Sequence, residues 1–108
     1  MRVAIAYSGD DTVADFKEAL EFKLYDIEND EVVFAQAIEV RKDWYMSVAE
    51  FLAEQQADAV ICGNIGKGAL SSFREGRIKV YAGVKGKADD ALASFINGSL
   101  IFDPLAGM

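Results

Sequence analysis

The run Ala59-Val60-Ile61-Cys62 is too short for a typical helix and stops at Gly63. A glycine-punctuated turn, Gly63-Asn64-Ile65-Gly66-Lys67-Gly68, follows, and helical spacing resumes at Ala69 and Leu70. A strand that hands a flexible turn to a helix forces the chain to alternate between sheet and helix. It also exposes unpaired backbone N–H groups beside one mobile cation, Lys67. That combination suits an anion. The spacing Gly63-x-x-Gly66-x-Gly68 matches neither the P-loop nor the dinucleotide fingerprint. The plainer alternative is a strand-to-helix connection that uses glycine for its geometry.

The rest of the chain extends this pattern. Arg2 to Tyr7 reads as a buried strand ending in the turn cluster Ser8-Gly9-Asp10-Asp11. Residues 12–19 make either one weak helical turn or a loop. Phe22 to Ile27 and Val32 to Ile38 are strand-like and flank Asn29-Asp30, a pair suited to a tight hairpin turn. Trp44, Val48, Phe51, Leu52 and Gln55 form a helical stripe, with Asp43 as N-cap. Asp58 to Cys62 is then a strand, and Ala69, Leu70 and Phe73 mark a short helix stopped by Gly76. A strand over Ile78 to Ala82 precedes a last helix on Ala88, Leu92, Phe95 and Ile96, ending at Gly98. The order β-β-β-α-β-α-β-α predicts an α/β fold with a mixed sheet covered by helices on both faces. Residues 1–98 form one domain on this reading, and 99–108 a loosely held C-terminal tail.

Composition removes several function classes. A net charge of −7 argues against a nucleic-acid partner, which would need a basic patch. No apolar run approaches the roughly 20 residues of a membrane-spanning helix. Cys62 is the single cysteine, so no intramolecular disulfide forms, and Met1-Arg2 leads straight into a strand. The expected location is the cytoplasm. The chain has no histidine, which removes the usual general base and the commonest metal ligand together.

With these elements placed, the sequence resembles the nitrogenase-accessory family, whose members carry the iron–molybdenum cofactor or its precursors. The likeness lies in Met1 to Ala6, Leu24 to Val33, Ala57 to Gly66, Gly76 to Tyr81, and the last helix with its Asp89-Asp90-Ala91-Leu92 opening. The resemblance implies a three-layer α/β/α domain with a five-stranded mixed sheet of ribonuclease-H-like topology. It also implies a role with an iron–molybdenum cofactor or iron–sulfur precursor cluster, and a protein partner in cofactor assembly. Two departures stand out. Asp15-Phe16-Lys17-Glu18 replaces a His-Phe-Gly-Arg-like segment, and Glu39-Val40-Arg41-Lys42-Asp43 replaces a loop rich in histidine and glycine. The family's proposed cluster ligands are largely missing.

The candidate site therefore consists of Ser8 and Asp10 after the first strand and Gly63, Asn64, Gly66, Lys67 and Gly68 after the fourth. Neighbouring strands would place both loops on one crevice, where open α/β sheets bind ligands. Lys85-Gly86-Lys87 adds positive charge to that rim. Cys62 is the candidate metal ligand, against the alternative of a buried small hydrophobe. A nuclease-like two-metal site would need carboxylates clustered on adjacent strands. Asp26 and Asp58 do not form such a cluster, so the chain reads as non-enzymatic. Two functions remain: a carrier of a metallocluster or small anion at the glycine turn, or a histidine-free relative serving as a protein-interaction or regulatory domain.

Overall fold

The computed structural model describes residues 1–39 and 48–103. Its central strand, β1 (Arg2–Tyr7), is buried from Val3 to Tyr7, which explains the continuous apolar run there. β2 (Glu21–Glu28) pairs antiparallel with it, Arg2 facing Asp26 and Tyr7 facing Glu21. β3 (Glu31–Glu39) returns along β2. The turn between them places Asn29 and Asp30 at φ 52° and 62°, the left-handed pair that a two-residue hairpin demands. β4 (Ala59–Ile61) and β5 (Lys79–Tyr81) add in parallel on the other side, giving the sheet order β3-β2-β1-β4-β5. This is the five-stranded mixed sheet of ribonuclease-H-like topology that the resemblance implies.

Alternation along the strands divides the core into two layers. Ala4, Ala6, Phe22, Leu24, Val60 and Cys62 face α1 (Val48–Glu54) and α2 (Lys67–Glu75), whose Leu52 and Phe73 are fully buried. Val3, Ile5, Tyr7, Tyr25 and Ile61 face α3 (Ala88–Asn97), anchored by Ala88, Ala91 and Leu92. Gly98 closes α3 in the left-handed conformation, φ 80°. The N-cap Asp43 and the stripe residue Trp44 lie outside the described residues.

Residues 12–19 resolve into something more specific than either alternative. Val13 bridges to Tyr7, Thr12 bridges to Lys87, and a short 3-10 turn follows at Phe16–Glu18. The Phe16 ring packs edge-on against Phe73 at 5.4 Å, so this segment is anchored in the core. Within the stretch expected as a tail, residues 102 and 103 make contacts with the domain. Asp103 donates its N–H to the Ala82 carbonyl at 2.8 Å, and Phe102 packs on Tyr81 at 4.9 Å. Gly83, at φ 74°, admits this approach; a Cβ there would sit 2.8 Å from that of Asp103.

Candidate functional site

β1 and β4 are neighbours, so the loops leaving their C-terminal ends do share one end of the sheet. The segment from Thr12 to Phe16 runs between them and ties them together. Ala14 donates to Ala6 and accepts from Gly63, Val13 donates to Gly86, and Phe16 donates to Asn64. The crevice is thus partly filled by the chain's own backbone, and the expected face-to-face arrangement of the two loops becomes two separate groups.

The first group is the glycine turn. The N–H of Gly63 is taken by Ala14, and that of Asn64 by the Asp15 carboxylate at 2.8 Å. Asp15 sits so close that a Cβ on Gly63 would lie 2.3 Å from its Oδ1. The turn therefore holds an internal anion at its strand end. Its helix end differs. Gly66 is the N-cap of α2 and offers no side-chain cap, and the first bond of the helix is Leu70 to Gly66. Lys67, Gly68 and Ala69 consequently present N–H groups with no acceptor among the described residues. A Cβ on Gly66 or Gly68 would meet nothing within 4 Å, so the space above this end is open. Lys67 is exposed and forms no ion pair among the described residues.

Cys62 belongs to the core beneath this turn. It has no exposed surface, and burial, reinforced by the Asp15 charge, pushes its thiol up to about 12. Here it packs in the core as a small hydrophobe. Among the described residues no group of three or more acidic or cysteine side chains is placed to hold a metal ion.

The second group surrounds the loop after β1. Asp10 accepts from the hydroxyls of Ser8 and of Thr12, the latter at 2.6 Å, and these bonds pull its carboxyl down to about 2. Lys87 Nζ donates to the Asp10 carbonyl at 3.2 Å. Ser8 and Asp10 thus organise a turn and spend their hydrogen bonds within it. No hydrogen bond or ion pair among the described residues joins them to Lys67. Beside them Tyr7 donates its hydroxyl to Asp11, which holds the phenol up to about 12. Lys23 lies 4.1 Å above the Tyr7 ring and 3.9 Å from Asp11. Sequence reasoning missed both Asp15, which is 49 positions from Asn64, and this Tyr7–Asp11–Lys23 cluster, in which the pairing of β1 with β2 brings Lys23 beside Tyr7.

Asp26 and Asp58 meet at the opposite end of β1, around Arg2. The guanidinium donates to both oxygens of Asp26, at 2.7 and 3.0 Å, and the Arg2 N–H donates to Asp58 at 2.8 Å. The Arg2 bond holds the Asp26 carboxyl below its ordinary range. These carboxylates fasten the start of the sheet.

A mixed five-stranded sheet in this order, with a glycine turn feeding the second parallel strand into a helix, defines an α/β domain of ribonuclease-H-like topology. The chain belongs to the dinitrogenase iron-molybdenum cofactor family, whose model matches residues 1–98. It is similar to the crystal structure of PH0822, with 30% identity over 97% of this chain and 96% of that one and a TM-score of 0.88. It is also similar to a Thermotoga protein described as NifB, with 27% identity, 94% and 91% coverage and a TM-score of 0.75. A Methanocaldococcus jannaschii protein described as a dinitrogenase shares the fold, with 24% identity, 96% and 95% coverage and a TM-score of 0.80. No curated protein matches the chain.

Proposed function

We propose that this chain is a non-catalytic binding member of its family that receives an anion at the N-terminus of α2. The carrying observation is the set of unpaired N–H groups on Lys67, Gly68 and Ala69 beside the Lys67 ammonium, under space that no side chain fills. Asn64 and Gly63 shape the turn, Gly66 and Gly68 keep it open, and Lys67 supplies charge.

The residues present do not fit direct ligation of an iron–molybdenum or iron–sulfur cluster, since the single thiol is buried and protonated. A cluster or its oxyanion precursor, as cargo, would be held here through amides and charge alone. Molybdate titration of the wild type tests this. Removing one exposed cation at about 4 Å is worth about 1 kcal/mol, so Lys67→Ala weakens binding roughly fivefold. Cys62→Ala leaves binding unchanged. Loss of binding in Cys62→Ala alone overturns the reading and restores a thiolate ligand.

A second reading, a protein-interaction domain acting in cofactor assembly, draws on β3. This edge strand leaves Val32, Val33 and Phe34 exposed at 41%, 55% and 52%. Edges of this kind pair with other chains unless they are blocked. Absence of any anion binding by the wild type favours this second reading.

A further inference from the structure

The other edge of the sheet carries a feature unrelated to the glycine turn. Where the C-terminal half of α2 overhangs β5, a cavity of about 330 Å³ opens, a size at the lower end of small-molecule sites. Arg74 from α2, Arg77 from the following turn and Lys79 from β5 all line it. Leu70 and Val80 provide apolar wall, and Asp103 stands in the lining as its one carboxylate. Leu70 and Arg74 are four residues apart on α2, so they share one helix face.

The charge arrangement is unusual for this chain. Three of its 11 basic residues gather in one cavity, although the net charge is −7. None of the three is held in an ion pair among the described residues. Arg77 is moreover kept at φ 61°, a conformation that a long side chain seldom adopts. Three basic side chains against one carboxylate in the lining give the cavity a net positive charge, which favours a bound anion. Two guanidinium groups offer planar forks that match a phosphate or carboxylate.

The surroundings narrow the ligand. A peptide strand added to β5 is disfavoured, because β5 spans only Lys79–Tyr81 and the Ala82 carbonyl beyond it already accepts from Asp103. Asp103 also repels a ligand charged along its whole length. What fits is a small molecule with an anionic group at one end and an uncharged body against Leu70 and Val80.

We propose that this cavity is a binding site for an organic monophosphate, its phosphate on Arg74, Arg77 and Lys79. The site is separate from the one at the N-terminus of α2. Calorimetric titration with AMP and with phenyl phosphate, at about 0.1 M salt, tests it. Both bind saturably at one site per chain that depends on Arg74 and Arg77, and inorganic phosphate binds there more weakly for want of apolar contact. The Arg74→Gln/Arg77→Asn variant loses about tenfold or more in affinity, since charge-assisted forks are removed. Asn is chosen because it tolerates positive φ. Arg74→Gln alone, at an exposed helix position, gives a smaller loss in the same direction and guards against a folding defect. The titrations are repeated on Lys67→Ala, which weakens any second oxyanion-binding event at the N-terminus of α2 and leaves the event that depends on Arg74 and Arg77 in place. The proposal is overturned by absence of saturable binding of either organic phosphate, or by equal affinity in the double variant. Loss of every binding event in Lys67→Ala, or inorganic phosphate binding as tightly as AMP, overturns it equally.

Discussion

Replacing Gly63 with alanine tests how the turn is built, because the consequence follows from two distances. The new methyl would lie 2.3 Å from Asp15 Oδ1 and 3.3 Å from the Asp15 Cα and N atoms. The carboxylate must swing away, which breaks its 2.8 Å bond from the Asn64 N–H. A hydrogen bond to a charged group contributes about 1.5–3 kcal/mol, and the exposure of Asn64 puts this one near the low end. Crowding against the Asp15 backbone, which cannot rotate away, adds about 1 kcal/mol. Gly63→Ala therefore costs about 2–3 kcal/mol, or roughly 10 °C in the unfolding midpoint of a domain this size. Asp15→Ala alone costs about 1–2 kcal/mol through the lost cap. Combined, the two cost less than their sum by about 1 kcal/mol, because the second change removes the atom the first one strikes. Chemical denaturation of the four proteins measures this coupling. Additivity within about 0.3 kcal/mol would refute the proposed contact.

Cys62 should react with a thiol reagent at pH 8 about 10³-fold more slowly in the native protein than in denaturant, since its thiol stands near 12 against an ordinary 9.0; native labelling within tenfold of the unfolded rate contradicts its placement in the core. The Asp10 carboxyl, held near 2 against an ordinary 3.8, contributes stability that is full above about pH 4 and lost as the pH falls toward 2, and NMR titration of its side chain should find that midpoint. Tyr7 behaves in the opposite sense: its phenol keeps its proton to about 12 against an ordinary 10.0, so its contribution is full below pH 10 and fades as the pH rises through 12. Absorbance of tyrosinate in wild type against Tyr7→Phe isolates that step.

The elements set by local chemistry were legible in the sequence. Asn29-Asp30 announces its hairpin by residue type alone, Gly98 announces the end of α3, and the apolar runs of β1 and β4 announce buried central strands. The parallel pairing of β1 with β4 is part of the ribonuclease-H-like topology that the family resemblance implies. What the sequence hid depends on distant partners. Asp15 is 49 positions from the Asn64 amide it caps. Its position in the Asp15-Phe16 segment suggested only a missing histidine, whereas the structure makes Phe16 a core anchor and Asp15 a buttress of the turn. Cys62 was ambiguous for a similar reason. It ends an apolar strand beside a functional-looking turn, and only the packing of α1 and α2 decides that its thiol points into the core. Ser8 and Asp10 had the composition of a ligand loop, but their hydroxyl and carboxylate satisfy each other. The docking of residues 99–103 on β5 rests on single contacts at Tyr81, Ala82 and Gly83, which no periodic pattern reveals.

Amide NMR during a molybdate titration probes the anion-receiving end of α2 most directly. The account predicts shifts concentrated on Lys67, Gly68 and Ala69, with Gly63 and Asn64 little moved because their N–H groups already have acceptors. Shifts centred on Cys62, Gly63 and Asn64, or none at the start of α2 under saturating molybdate, would contradict it.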